Sequence, residues 1–264
     1  MAKKRKASPS VFKRLFIIFI VLLSIAIVAW YVVLKIKEKQ ALADAKSAYY
    51  EAFGIHLPKG YTIHGIDVSN YQSTVYWPLV KAMHVDSIAM GFAFIKATEG
   101  LNDVDKSFAK NWQATKQVQM PRGAYHFFLA TKSGKKQADN YIKQVNLATG
   151  DLPPVIDVEH LYGVSAKNMR ARLKECIATL EAHYHTKPII YTYVSFYNSY
   201  LGKEFDDYPL WVAHYLEPDK PKISRDWLFW QHSERGSVNG ITRNVDFNVF
   251  NGDSAAFKKL LIKQ

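Results

Sequence analysis

One cysteine, Cys176, is the whole thiol content of the 264 residues, so no intrachain disulfide can form. It falls in a helical pattern, where a buried thiol is expected rather than a nucleophile. No HExxH or CxxC spacing occurs. The histidine pair His183 and His185 lies two residues apart at a helix end, which does not bring both rings to one face. Glu159-His160 is the other ligand-like pair. Neither makes a metal site, so no metal or other cofactor is expected. No GxSxG elbow occurs either, which argues against a serine-hydrolase triad. Internal repeats and low-complexity tracts are missing from the C-terminal domain.

Charge is missing altogether from 15-LFIIFIVLLSIAIVAWYVVL-34. A helix of that length rises about 30 Å, the thickness of a bilayer core. Lys3, Lys4, Arg5, Lys6, Lys13 and Arg14 precede it. The positive-inside rule places that end in the cytoplasm and the rest of the chain across the membrane. A cleavable signal peptide competes with this reading, because Ala41-Leu42-Ala43 has the form of a cleavage site. The expected layout is a basic tail over 1–14, a transmembrane helix over 15–34, a charged helical stalk over 35–59 and a domain over 60–264. The domain is expected in the periplasm or outside the cell, on a single-pass anchor in the cytoplasmic membrane.

The formal charge is +12, but residues 1–59 hold 11 basic and 3 acidic residues. The basicity therefore belongs mostly to the N-terminus and does not call for nucleic acid as a partner. Aromatics are plentiful, with 16 Tyr, 15 Phe and 6 Trp. They suit a large core and a carbohydrate-facing surface.

Eight short runs read as strands. They are 63-IHGIDVS-69, 87-SIAMGFAFIKA-97, 122-RGAYHFF-128, 154-PVIDVE-159, 188-PIIYTY-193, 210-LWVAHY-215, 228-LFWQH-232 and 245-VDFNVF-250. Helical patterns fall over 104–118, 134–147 and 165–184. In the last, Met169, Leu173, Cys176, Ile177, Leu180 and Tyr184 share one face and Ser165 is the N-cap. Strand–helix alternation implies parallel strands. The links 216–227 and 233–244 lack apolar periodicity and read as loops, so the last strands are expected to pair antiparallel. The fold class is α/β, a modified (β/α) TIM-like barrel with irregular last strands, preceded by an N-terminal transmembrane helix.

Such barrels place their chemistry at the C-terminal strand ends. Those ends carry Asp67, Lys96, Glu99, Tyr125, His126, Asp157, Glu159, Tyr193, His214, Tyr215, Gln231 and Asp246. Within 153-PPVIDVEHL-161 the period-two rule turns Asp157 and Glu159 to one side, with Val158 opposite. Close carboxylates do not ionise together readily, so one pKa rises. A proton-holding acid beside an ionised partner is what glycoside hydrolysis requires. Loop capping or a lysine salt bridge is the plainer alternative for the pair.

The segments 65-GIDVSNYQ-72, 94-FIKATEG-100, 122-RGAYHFF-128, 155-VIDVE-159, 188-PIIYTY-193, 210-LWVAHY-215, 229-FWQHSE-234 and 245-VDFNVFNG-252 together resemble a glycoside hydrolase family 25 lysozyme, the Chalaropsis-type muramidases. The resemblance spans roughly residues 61–253. It implies a modified β/α barrel that cleaves the β-1,4 bond between N-acetylmuramic acid and N-acetylglucosamine of peptidoglycan. It makes Glu159 the general acid and Asp157 the group that orients the 2-acetamido group or stabilises developing charge. Asp67 and Asp246 complete the acidic cluster. Tyr125 and Tyr193 match tyrosines near the scissile sugar, and Trp211, Tyr215 and Gln231 match groove positions. The D-x-E pair suits substrate assistance; an aspartate acting directly as base or nucleophile is the other route. Ser73 stands where a glycine is common, and Asp103 where an aromatic is. The alternatives are a glycan-binding barrel without catalysis, or a wall-opening subunit of an envelope-spanning machine.

Overall fold

A computed structural model describes residues 11–263 and divides into two units, the N-terminal helix and everything from Ser47 onward. Lys3, Lys4, Arg5 and Lys6 of the basic tail lie outside the described residues.

The first unit is one helix, α1, Val11–Lys46. It contains the whole uncharged run, and an 18-residue window within it reaches a mean hydropathy of 3.0. Its large apolar side chains from Phe12 to Leu42 are exposed. The serine inside the run is tied down: Ser24 Oγ donates to Ile20 O at 2.8 Å. By length and composition α1 is able to cross a membrane.

The expected helical stalk stops at Lys46. Residues 47–58 form a hairpin instead, strands β1 (Ser47–Tyr50) and β2 (Ile55–Pro58), paired antiparallel. The reason lies in 55-IHLP-58, where Ile55 and Leu57 are buried and His56 is exposed, a strand alternation. At the turn, Phe53 is fully buried with its ring edge-on to Phe247, 5.3 Å between centroids. The hairpin is thus packed onto the barrel.

Eight strands close that barrel: β3 (His64–Val68), β5 (Ile88–Glu99), β7 (Arg122–Phe127), β8 (Val155–Asp157), β9 (Ile189–Tyr193), β10 (Leu210–Ala213), β11 (Phe229–Gly236) and β12 (Val245–Phe250). Two short strands, β4 (His84–Val85) and β6 (Asp103–Val104), pair antiparallel with β5. The order runs β3-β12-β11-β10-β9-β8-β7-β5, and β3 pairs with β5 to close the ring. From β5 through β11 every barrel pair is parallel, β10 with β11 included. That corrects the expectation for the seventh strand: the helix-free link 216–227 is still a crossover. Only β12 runs antiparallel, to both β11 and β3.

Helices α2 (Trp77–Ala82), α3 (Phe108–Gln117), α4 (Gly134–Gln144) and α5 (Ala166–Tyr184) cover the outside. On α5 the face read from the sequence is buried from Met169 to Leu180, and Ser165 Oγ accepts from Asn168 N. A short turn, α6 (Val194–Phe196), continues as irregular helix to Phe205, and α7 (Ser254–Leu260) ends the fold.

The barrel interior is a separate core. Phe92, Phe94, Val155, Ile189, Trp211, Phe229 and Phe250 fill it, with Phe257 of α7 against Phe92 and Phe250. Two glycines make room. A Cβ at Gly65 would stand 2.5 Å from the Phe92 ring, and one at Gly123 would stand 2.5 Å from the Phe94 ring. The aromatic floor supports the polar rim above it.

Candidate active site

At the C-terminal ends of the parallel strands the interior changes from aromatic to polar. Phe92 and Phe94 give way to Lys96 along β5, and Val155 gives way to Asp157 along β8. The period-two alternation that fills the barrel with rings therefore also aims these side chains into the cleft above. The cleft has a volume of about 240 Å3. Asp67, Asp157, Glu159 and Asp246 all line it.

Strand β8 ends at Asp157, but Val158 N still donates to Tyr191 O at 2.9 Å. That bond extends the strand geometry one step. Val158 is fully buried in the outer core, while Asp157 and Glu159 face the cleft together.

Asp67 is held most firmly. Its Oδ2 accepts from Gln231 Nε2 and from Asn248 Nδ2, each at 2.8 Å. Asn248 Oδ1 in turn accepts from Trp211 Nε1 at 2.7 Å. Gln231 Oε1 accepts from the hydroxyls of Tyr191 at 2.8 Å and Tyr215 at 2.6 Å. Both amides are thereby locked in one orientation, donors toward the carboxylate.

All four acids bind protons more tightly than usual. Burial pushes Asp67 up to about 6, against the two amide hydrogen bonds. Burial also pushes Asp246 up to about 9, with the negative charges of Asp67 and Glu234 adding to it. Asp157 is raised well above its ordinary value by burial and then by Glu159, while Lys96 opposes. Its Oδ1 is buried and has no hydrogen-bond partner. Glu159, half-buried, is raised by burial; His160, the Tyr191 hydroxyl and Lys96 oppose. Lys96 Nζ bonds Glu99 Oε2 at 2.7 Å and sits over the Phe127 ring.

Of the binding residues expected from the sequence, Tyr125, Trp211, Tyr215 and Gln231 line the cleft. Trp211 is 2 % exposed and stacks on Phe94 at 4.3 Å, so it serves chiefly as floor. Tyr193 is not among the lining residues; its hydroxyl donates to the Glu159 backbone O at 3.1 Å and holds that loop. Sequence reasoning passed over Tyr191, Asn248 and Ser69. Tyr191 shares a strand face with Tyr193, and Asn248 shares one with Asp246, so the same alternation pointed to both.

Other candidates fall elsewhere. Cys176 is buried in α5, and burial pushes its thiol up. His183 packs on Tyr184, and His160 packs edge-on to Tyr162. Among the described residues no group of three or more His, Cys, Asp or Glu is placed to hold a metal ion.

Comparison with known proteins agrees with this fold. The family model "Glycosyl hydrolases family 25" matches residues 66–241. An Escherichia coli K12 protein described as "Uncharacterized protein YegX" is 45% identical over 202 residues, 76% of this chain and 74% of that one. "Lysozyme M1" of Streptomyces globisporus is 36% identical over 208 residues, 73% of this chain and 69% of that one. Among solved structures, a family 25 glycosyl hydrolase from Bacillus anthracis superposes with a TM-score of 0.71 at 33% identity, covering 81% of this chain and all of that one.

Proposed function

The chain belongs to glycosyl hydrolases family 25, and from that premise we propose how its cleft cuts a glycan strand. The protein is a glycoside hydrolase of the lysozyme and muramidase type, and its substrate is peptidoglycan. The bond cleaved is the β-1,4 link from N-acetylmuramic acid to N-acetylglucosamine.

Glu159 is the general acid in this proposal. Its raised pKa supports the role, because it holds a proton nearer neutrality than an ordinary glutamate. Asp157 accepts a hydrogen bond from the 2-acetamido N–H of the sugar being cut. The observation that carries this reading is the buried Asp157 Oδ1, an acceptor with no partner, beside Glu159, whose pKa burial raises. The acetamide oxygen attacks C1 as the C1–O4 bond breaks, and Glu159 gives its proton to the departing O4. The resulting oxazolinium ion is then opened by water at C1, and the Glu159 carboxylate takes the water's proton. The anomeric configuration is retained. Asp67, fixed by Gln231 and Asn248, supplies negative charge near the cationic intermediate. Asp246 adds a proton-sharing neighbour. Tyr125 and Tyr215 line the cleft where the sugars lie, and Tyr193 positions the loop that carries Glu159.

We also infer that α1 anchors the enzyme in the cytoplasmic membrane, N-terminus inside and barrel on the wall side. Its length and apolarity support this.

The test is digestion of purified peptidoglycan by the wild type, Glu159→Gln and Asp157→Asn. New ends are reduced and identified by mass spectrometry. Reduced muramic acid ends from the wild type alone are expected. Full activity in Glu159→Gln removes it from the acid role. Unchanged turnover in Asp157→Asn removes the acetamide contact. Binding without any new ends would make the protein a glycan-binding barrel.

A further inference from the structure

Two loops border the rim on the side of β3 and β12. One, 69–76, follows β3 and begins at Ser69, which lines the cleft. The other, 237–244, precedes β12 and ends two residues before Asp246. They are clasped along their length. Gln72 Nε2 donates to Asn244 O at 3.0 Å, and Tyr76 N donates to Gly240 O at 2.9 Å. Val75 and Ile241 form an isolated β-bridge. Gln72 is itself buried, and its Oε1 accepts from Ser69 N at 2.9 Å.

This rigid seat presents two side chains outward. Tyr71 is 58% exposed, and the Arg243 guanidinium lies 5.0 Å from its ring centroid. Arg243 has no carboxylate or carbonyl partner among the described residues. Among the arginines of the unit from Ser47 onward it stands apart. Arg122, Arg170, Arg225 and Arg235 each meet a carboxylate, and Arg172 donates to Ala130 O. The cleft's own cation, Lys96, is held by Glu99.

We propose that Tyr71 and Arg243 form a specificity shelf for the substrate, resting on the muramidase reading above. The Tyr71 ring carries a sugar of the glycan strand beyond the scissile bond. The guanidinium takes a carboxylate of the strand's peptide stem. The chemistry favours this ligand. An arginine held over a ring is already partly placed, so it surrenders less freedom on meeting a carboxylate. Its fork matches that group with two parallel hydrogen bonds. The shelf makes the enzyme prefer peptide-bearing, anionic glycan over a neutral strand of the same sugars.

The full-length protein in detergent tests it on two substrates. One is solubilised peptidoglycan fragments with free stem carboxylates; the other is the same fragments with those carboxylates converted to primary amides. The wild type is expected to favour the carboxylated fragments. Arg243→Ala should lose about tenfold in kcat/KM on them and little on the amidated ones. Arg243→Lys should keep part of the preference, and Arg243→Glu should reverse it. Tyr71→Ala should raise KM on both substrates alike. Added salt should shrink the wild-type preference, since the contact is at the surface. Equal wild-type rates on the two substrates, or an equal loss on both in Arg243→Ala, overturns the shelf. A wild type that cuts neither, like Glu159→Gln, overturns the muramidase reading beneath it instead.

Discussion

Asn248 Nδ2 donates to Asp67 Oδ2 at 2.8 Å, across the antiparallel seam that joins the last barrel strand to the first. The same asparagine accepts from the buried Trp211 Nε1 through its other end. One side chain therefore links the aromatic floor to the acidic rim.

Asn248→Ala removes both contacts and leaves the Trp211 N–H and the Asp67 carboxylate short of a partner. A loss of about 1–3 kcal/mol is expected in denaturant unfolding. Asp67 should also bind its proton more tightly than at its present value of about 6. If Asp67 acts ionised, the acid limb of the pH–rate profile moves upward. A limb that stays put would take ionised Asp67 out of the mechanism.

Asp246 gives the pH dependence of stability a definite sign. Its folded pKa of about 9 lies above the ordinary 3.8, so the folded state holds a proton that the unfolded chain releases. The group's contribution is best below about pH 4 and declines as pH rises through the window to 9. Asp246→Asn should raise the Tm at pH 8 and leave it nearly unchanged at pH 4. An equal shift at both values would show that the carboxylate ionises freely in the fold.

Gly65→Ala should destabilise the barrel by about 1–3 kcal/mol, because the new methyl meets the Phe92 ring. The double variant Gly65→Ala/Phe92→Leu should recover part of that loss. Chemical denaturation of the wild type, of Gly65→Ala and Phe92→Leu singly, and of the double variant measures the coupling. Simple additivity would mean that the ring moves aside without cost.

If α1 is an uncleaved anchor, full-length protein stays in the membrane fraction after an alkaline wash, with the mass of the intact chain. A shortened protein in the wash supernatant would favour cleavage near Ala41-Leu42-Ala43.

The barrel strands were legible because alternation along 63–69, 122–128 and 245–250 separates an aromatic interior from an outer core. The D-x-E pair was legible for the same reason, since period two turns Asp157 and Glu159 to one side. The hairpin at 47–58 was hidden by its neighbours: the charged, Ala-rich run before it continues a helical pattern, and Phe53, in the turn between its four-residue strands, finds its apolar partner in Phe247, far along the chain. The parallel pairing of β10 and β11 was hidden too, because a link without helix periodicity says nothing of the direction in which it returns. Tyr191 and Asn248 escaped because their importance lies in whom they meet. Which amide faces Asp67 is set by register across strands, not by any local pattern.

The seam between β3 and β12 has a consequence for the order of events during synthesis. The first barrel strand to be made must wait for the last, since β12 lies between β3 and β11. Until then both of those strands present unpaired edges, the kind of surface on which chains aggregate. The Asp67 network waits as well, for Asn248 arrives with β12. The aromatic floor waits longer still, for Phe257 of α7. A ribosome stalled near residue 240 therefore leaves an open sheet with no organised cleft. The cleft is complete only once β12 has been made, so a shorter nascent chain lacks both Asp246 at the rim and the Asn248 bond to Asp67.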